Sequence, residues 1–142
     1  MVVVAAVDRS RDERRTVEEG RTLASRFGEE LHVVHCLNES EFRSLERTSY
    51  ERTGETIDVS ELEAAATEIA REAVVDGVDC TPVGLVGNPA QRVLEYGRDQ
   101  DARYLVVGGR KQSPVGKALF GSVTQSILLN ADRPVVTVMA EG

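Results

Sequence analysis

The stretch Val2-Val-Val-Ala-Ala-Val7 is followed at once by Asp8-Arg-Ser10. A short, nearly continuous apolar run is typical of a strand that is buried on both faces of a sheet. Ser10, with Glu13 three residues later, has the spacing of a capping box and predicts that a helix begins there. Because a buried strand that leads directly into a helix is the repeating unit of parallel α/β proteins, this segment decides the fold.

The same alternation continues along the chain. Helical periodicities follow candidate caps at Ser60, Asn88 and Ser122, and Gly28 and Gly77 are placed to end two of the helices. The further apolar runs that predict strands are Leu31 to Leu37, Cys80 to Val86, Tyr104 to Val107 and Pro134 to Met139. The order βαβαβαβαβ predicts one α/β domain over residues 1–142, a doubly wound five-stranded parallel sheet with helices on both faces.

Residues 38–59 break this regularity, because they are polar and rich in turn-forming residues, without a clear period. A segment of this length inside a compact domain is expected to be a functional lid or a mobile insertion. A short helix around Glu41 to Leu45 is the third possibility.

Composition limits the classes of function. The 142 residues are 41% hydrophobic and carry a net charge of −7, which fits a folded soluble chain and argues against a nucleic-acid or anionic-membrane partner. No apolar run approaches the length of a membrane span, and the N-terminal run has no basic leader. Cys36 and Cys80 fit neither a disulfide framework nor a zinc site, so we expect a reduced, cytoplasmic protein.

In a doubly wound sheet a ligand lies at the carboxyl ends of the strands where the strand order reverses, here after Val7 and after Val107. The loop from Gly108 to Ser122 contains glycines, Arg110 and both lysines of the chain, and it leads into a helix N-terminus. Cations, open backbone N–H groups and a helix dipole suit a polyphosphate. The alternative is a solvated basic loop in which Ser122 is an ordinary helix cap.

Two familiar nucleotide motifs do not apply. A Walker A loop requires Ser or Thr after its lysine, whereas Ala118 follows Lys117. A dinucleotide fingerprint requires glycines after the first strand, where this chain has Asp8-Arg9-Ser10. A response regulator requires an Asp at the end of the third strand, where the chain has Val86-Gly87-Asn88.

Several motifs together resemble the universal stress protein family over essentially the full chain. They are Val7-Asp8-Arg9-Ser10, Val34-His35-Cys36, Gly87-Asn88-Pro89, Val106-Val107-Gly108, Gly121-Ser122-Val123-Thr124 and Arg133-Pro134-Val135-Val136. The ATP-binding subgroup of that family carries G-x2-G-x9-G-S/T in the last part of the chain. This sequence keeps the spacing, but Lys111 replaces the second glycine. Lys111 either weakens phosphate binding or reaches the phosphates with its ammonium group.

The resemblance implies an adenine-nucleotide site and assigns its parts. Ala6, Val7 and Asp8 would lie against adenine and ribose, Cys36 against adenine, and Val107 and Gly108 against ribose. The phosphates would be held by Gly121, Ser122, Val123 and Thr124, with Arg110 and Lys111 nearby and Mg²⁺ or Mn²⁺ as a bridge. The resemblance implies a stress-response module that binds ATP. The alternatives are a dimeric interaction protein of the same family without nucleotide, or a slow ATPase.

The remaining candidate residues can also be explained by structural roles. Asp8 could cap the first helical turn instead of binding a ligand. His32 and His35 are three apart on a strand and point to opposite faces, so they cannot form a joint metal site. Cys36 has no orienting third group and is expected to be inert, and no general base is evident for efficient hydrolysis. The last strand, Pro134 to Met139, is apolar and predicted at a sheet edge, so we expect a homodimer through it, as the resemblance also implies.

Overall fold

A computed structural model of the chain describes residues 1–9, 12–74, 77–112 and 117–141, without the side chains of 110–112, 117–119 and 140–141. The described residues form six strands and five helices. In chain order these are β1 (Val2–Ala6), α1 (Arg14–Phe27), β2 (Glu30–Cys36), α2 (Glu39–Thr53), α3 (Val59–Glu72), β3 (Thr81–Leu85), α4 (Pro89–Asp99), β4 (Ala102–Gln112), β5 (Lys117–Leu119), α5 (Ser122–Asn130) and β6 (Val135–Glu141).

The sheet has five parallel strands in the order β3-β2-β1-β4-β6, which confirms the predicted fold class. β1 lies at the centre, where Val3 is beside Leu31 of β2 and Tyr104 of β4. The strand order reverses between β1 and β4. The short β5 pairs antiparallel with residues 110–112 of β4. It lies on the same edge of β4 as β1, beyond the residue at which β1 ends. The basic loop is therefore partly a hairpin, and β4 is longer than the sequence predicted.

Both faces of the sheet are buried, which explains the continuous apolar strands. Val2 and Val4 belong to a cluster that α4 and α5 complete with Val93 and Ile127. Val3 and Ala5 face the opposite side, where α1 and α3 complete a second cluster. Burial of successive residues on alternate sides removes the polar–apolar alternation that a half-exposed strand would show.

The segment 38–59 holds a fifteen-residue helix, α2, which corrects the expectation of a lid, an insertion or only a short helix. Asn38 is its N-cap, and the Glu41 N–H donates to the Asn38 side chain at 2.8 Å while the Glu41 carboxylate accepts the Asn38 N–H. No residue of α2 is buried by the fold, and only Phe42 and Leu45 pack partly against Leu37 and its neighbours. So narrow an apolar stripe gives no clear helical period.

Three predicted helix starts are wrong in detail. α1 begins at Arg14 with Glu13 at the N-cap position, and Ser10 lies outside the described residues. α3 is capped by Asp58, to which the Ser60 hydroxyl donates at 2.7 Å, so Ser60 supports the cap instead of being it. α5 has Gly121 at its N-cap, and Ser122 is its first residue.

The predicted cap of α4 and the predicted end of α1 are confirmed, and the predicted end of α3 is wrong. Asn88 caps α4 through the Gln91 N–H at 3.1 Å, as predicted. Gly28 ends α1 in the left-handed conformation at φ 64, also as predicted, whereas α3 ends at Glu72 and not at Gly77. Phe27, the last residue of α1, is 45% exposed, and the Arg103 guanidinium stacks over its ring. Among the described residues, no helix is long and apolar enough to cross a membrane.

Candidate functional site

A cleft of about 540 Å³, including its open mouth, lies at the carboxyl ends of β1, β2 and β4, where the strand order reverses. α4 and α5 supply its outer wall. Its lining residues are Ala6, Val7, Asp8, Glu13, Val34, His35, Cys36, Asn38, Pro89, Val93, Val107, Val123, Thr124 and Ile127. The wall is therefore mostly apolar with polar groups at one end, as small-molecule sites usually are.

The cleft brings together seven of the twelve residues that the sequence assigned to a ligand. These are Ala6, Val7, Asp8, Cys36, Val107, Val123 and Thr124. Gly108 does not line it, but its carbonyl accepts the Thr124 hydroxyl at 3.3 Å. Gly121 and Ser122 lie just outside, at the start of α5. Arg110 and Lys111 belong to β4, and their side chains are outside the described part of the chain.

The N-terminus of α5 opens beside the cleft. Its N-cap, Gly121, has an ordinary φ of −64 and makes no side-chain capping bond. The first backbone bond of the helix runs from the Gln125 N–H to the Gly121 carbonyl at 3.0 Å. The N–H groups of Ser122, Val123 and Thr124 therefore precede the helical ladder, and together with the helix dipole they favour an anion.

The backbone of β2 continues beyond the end of β1. The last rung between the two strands is the Val7 N–H to the Val34 carbonyl, at 2.9 Å. On the other edge, the Leu37 N–H donates to Leu85 of β3 at 3.0 Å. Because backbone groups alternate between the two edges of a strand, the N–H and carbonyl of Cys36 lie on the edge of Val34 and face the cleft.

The environment of the Cys36 side chain favours an unreactive thiol. Its thiol is 3.6 Å from the Gly87 carbonyl, to which it donates, and the residue is 7% exposed. Burial disfavours the thiolate and raises the pKa of Cys36 to about 11. The expectation of an inert cysteine agrees with this environment.

His35 joins the cleft to α2, a role that the sequence did not indicate. The imidazole is almost fully buried, and its Nδ1 lies 2.9 Å from the Val7 carbonyl. Because a carbonyl only accepts, Nδ1 carries a proton. Nε2 lies 3.0 Å from the Glu41 carboxylate, so the ring connects the end of β1 to α2. His32 points to the other face, near Tyr96, and the described residues contain no cluster of three metal-ligating side chains.

Glu13 is the second residue that sequence reasoning missed. It was assigned to a capping box, but the residue is 6% exposed and lines the cleft. It accepts the Asp8 N–H at 3.0 Å and the Thr16 hydroxyl at 3.2 Å. Only the spacing of Glu13 from Ser10 was used in the sequence, whereas the approach of Glu13 to Gly108 of β4 depends on tertiary structure.

Comparisons with known proteins agree with this architecture. The sequence model of the Universal stress protein family matches residues 1–139. A universal stress protein of Mycolicibacterium smegmatis is 41% identical over 61 residues, 43% of this chain and 45% of that protein, so the match spans less than half of that relative. The solved universal stress protein from Archaeoglobus fulgidus is 30% identical with a TM-score of 0.64, over 96% of this chain and 97% of that one. A structure of the Archaeoglobus fulgidus universal stress protein in complex with dAMP is 23% identical, with a TM-score of 0.59 over 96% of each chain.

Proposed function

This chain belongs to the universal stress protein family, and on that premise we propose that it binds an adenine nucleotide, ATP, as a regulatory module of the stress response. The observation that carries the proposal is the cleft itself. It combines apolar walls for a base with the N–H groups that precede the helical ladder of α5, which favour phosphate. The Archaeoglobus fulgidus neighbour in complex with dAMP supports adenine as the base.

The backbone edge of β2 supports the choice of adenine. The Cys36 N–H and carbonyl present a donor beside an acceptor toward the cleft. The Watson–Crick edge of adenine presents an acceptor at N1 beside a donor at N6, and guanine presents the reverse pair. Adenine therefore satisfies both backbone groups, whereas guanine would leave them opposed to like groups. Val34, Val93 and Ile127 supply the apolar surface for the ring.

The phosphates would extend toward the N-terminus of α5 and the β4–β5 hairpin. Ser122, Val123 and Thr124 would offer backbone N–H groups, and Arg110 and Lys111 belong to the adjoining part of β4. Asp8 and Glu13 are too few to form an all-protein metal cage, so Mg²⁺ or Mn²⁺ would be held chiefly by the phosphates. The metal would neutralise phosphate charge.

Efficient hydrolysis is not part of the proposal. Among the described titratable groups that line the cleft, His35 is bonded to Val7 and Glu41, Glu13 is bonded to the Asp8 N–H and the Thr16 hydroxyl, and Cys36 is held as a thiol. None of these three groups is thereby an activated base for a water molecule, and positioning alone supports at most slow turnover. We propose instead that nucleotide occupancy changes a surface that partners recognise, in a homodimer formed through β6.

Titration calorimetry with ATP and Mg²⁺ tests the proposal on the wild type and on Gly121→Val. A Cβ at Gly121 meets nothing within 4 Å, so the variant is expected to fold while its side chain obstructs the start of α5. We expect wild-type binding and at least a tenfold loss in Gly121→Val. Leu129→Ala, an exposed change near the other end of the same helix, is the control and should bind like the wild type.

The Lys111→Gly variant distinguishes the two candidate functions. If ATP binds to Lys111→Gly but not to the wild type, Lys111 has abolished nucleotide binding. The second candidate, a dimeric interaction protein without nucleotide, then replaces the first. Lys111 itself is the observation that favours that candidate. If neither protein binds any adenine nucleotide, the proposed function is wrong.

A further inference from the structure

The first turn of α2 is attached to the wall of the cleft. Asn38, which caps the helix, is one of the residues that line the cleft. Its side chain accepts the Glu41 N–H at 2.8 Å, and its own N–H donates to Glu41 Oε1 at 3.1 Å. The cap of α2 is therefore also part of the candidate site.

His35 forms a second attachment at the same turn. The imidazole lines the cleft, and its Nδ1 lies 2.9 Å from the carbonyl of Val7, another lining residue. Its Nε2 lies 3.0 Å from Glu41 Oε1, the same oxygen that accepts the Asn38 N–H. A single carboxylate thus joins the start of α2 to the ends of β1 and β2.

The rest of α2 is held weakly by the fold. None of its residues is buried, and Phe42 and Leu45 supply its apolar contact with Leu37 and the neighbours of Leu37. Among the hydrogen bonds and ion pairs of the described residues, only that of His35 with Glu41 joins a side chain of α2 to a strand or to another helix. Segments with few buried contacts open locally at a low cost in free energy, so we expect α2 to open before the rest of the domain.

Opening of α2 would change the wall of the cleft. It would separate Glu41 from Asn38 and from His35, and both of these partners line the cleft. A ligand that contacts them binds the closed form more tightly than the open form, and this difference in affinity shifts the equilibrium toward the closed form. Ligand binding and closure of α2 therefore favour each other.

We infer that α2 is the surface that nucleotide occupancy controls, and that Glu41 is the positioning residue that couples this helix to the cleft. The inference rests on the proposed function, for which it names the part of the surface that changes. In the empty protein α2 opens locally, whereas in the loaded protein it is held against the end of β2. A partner that recognises closed α2 thereby distinguishes the loaded protein from the empty one.

Hydrogen exchange read by mass spectrometry, with and without ATP and Mg²⁺, tests this coupling. If only the closed form binds, opening becomes rarer by a factor of one plus the ratio of the ligand concentration to Kd. At a concentration of about 100 times Kd, exchange in residues 42–53 should therefore slow by about 10- to 100-fold. The last turn of α1, near Phe27, lies at the opposite edge of the sheet, because α1 leads from the end of β1 back to the start of β2. Its local exchange should not change.

Two variants make the same substitution at different positions of α2. Glu41→Ala removes the coupling carboxylate, and Glu46→Ala, at an exposed position, is the matched control. With ATP at about 100 times the Kd of each protein, the slowing of exchange in α2 should persist in Glu46→Ala. In Glu41→Ala the slowing should be at least about fivefold smaller, although ATP still binds. A residue that only stabilised the helix would change exchange in the free protein but not the effect of the ligand.

The comparison of α2 with α1 in the wild type does not depend on the folding of a variant. Equal slowing in both helices, or equal slowing in Glu41→Ala and the wild type, would overturn the inference. ATP binding in calorimetry without slower exchange in α2 defeats this inference alone and leaves the proposed function standing. If calorimetry finds no ATP binding to the wild type, the proposed function fails and the inference fails with it.

Discussion

His35 and Cys36, the last two residues of β2, have different surroundings because a strand points successive side chains to opposite faces. Cys36 packs with Val34 and Leu85 on one face and is held as a neutral thiol. His35 points to the other face, where its ring nitrogens meet the Val7 carbonyl and the Glu41 carboxylate. A Cys-His pair in the sequence therefore does not make a reactive pair in the fold.

We expect the Cys36 thiol to resist alkylation. A pKa of about 11 leaves roughly 100-fold less thiolate at pH 8 than a free cysteine has, and burial slows access further. Iodoacetamide labelling of the native protein, read by peptide mass spectrometry, should therefore show slow modification of Cys36 that accelerates as the pH rises toward 11. Cys80 is only half-buried, and in urea both residues should react rapidly. Equal labelling of Cys36 in native and urea-treated protein at pH 8 would contradict this.

Two helices of similar design differ in how firmly the fold holds them. α2 and α4 both begin with an Asn N-cap, Asn38 and Asn88. α4 buries Ala90, Val93 and Gly97, whereas α2 buries nothing completely and is tied down by Phe42, Leu45 and the pair of His35 with Glu41. Cap removal therefore has different consequences for the two helices.

We expect Asn38→Ala to open α2 locally and Asn88→Ala to destabilise the whole domain. Each change removes a cap worth about 1 kcal/mol. In Asn38→Ala, hydrogen exchange should accelerate in residues 39–53, while the melting temperature changes little. In Asn88→Ala the melting temperature should fall, and exchange should accelerate throughout the core. Unchanged exchange in α2 of Asn38→Ala would show that packing, and not the cap, holds that helix.

Sequence reasoning was most successful where structure is local or buried on all sides. The five parallel strands were found because both of their faces are apolar, and the Asn88 cap because it depends on three neighbouring residues. For α2 only a short helix around Glu41 to Leu45 was considered, because its apolar stripe is reduced to Phe42 and Leu45. Part of the site could be predicted because the carboxyl ends of parallel strands meet at one edge of the sheet. The roles of Glu13 and His35 could not be predicted, because they depend on contacts with Gly108 and Val7, which are distant from them along the chain.

The two edge strands of the parallel sheet, β3 and β6, differ in the backbone donors that they can offer to a second copy. β3 carries Pro82, whose ring nitrogen has no hydrogen to donate, and β6 carries no proline within its span. Because the Pro134 carbonyl accepts the Leu105 N–H, alternate residues of β6 turn toward β4, and the N–H of Thr137 turns to the open edge. In the described part of the chain no strand pairs with this edge of β6, and such an edge favours pairing with a second copy.

We expect Thr137→Pro to be monomeric and the wild type to be dimeric. The substitution removes a donor from the open edge but none from the ladder with β4, so the subunit should remain folded. Thr137→Val, which keeps the N–H, is the matched control and should remain dimeric. Light scattering with size-exclusion chromatography gives the masses. A wild-type monomer, or a dimeric Thr137→Pro, would rule out this interface.

The central position of β1 also affects how the chain is made. Val3 pairs with Leu31 early, but its other neighbour, Tyr104, is translated about one hundred residues later. At roughly 5–20 residues per second, the ribosome exposes one apolar edge of β1 for several seconds before β4 emerges. Pairing between residues so far apart along the chain predicts slow folding. The strand arrangement that creates the cleft is thus also the arrangement that makes its assembly late.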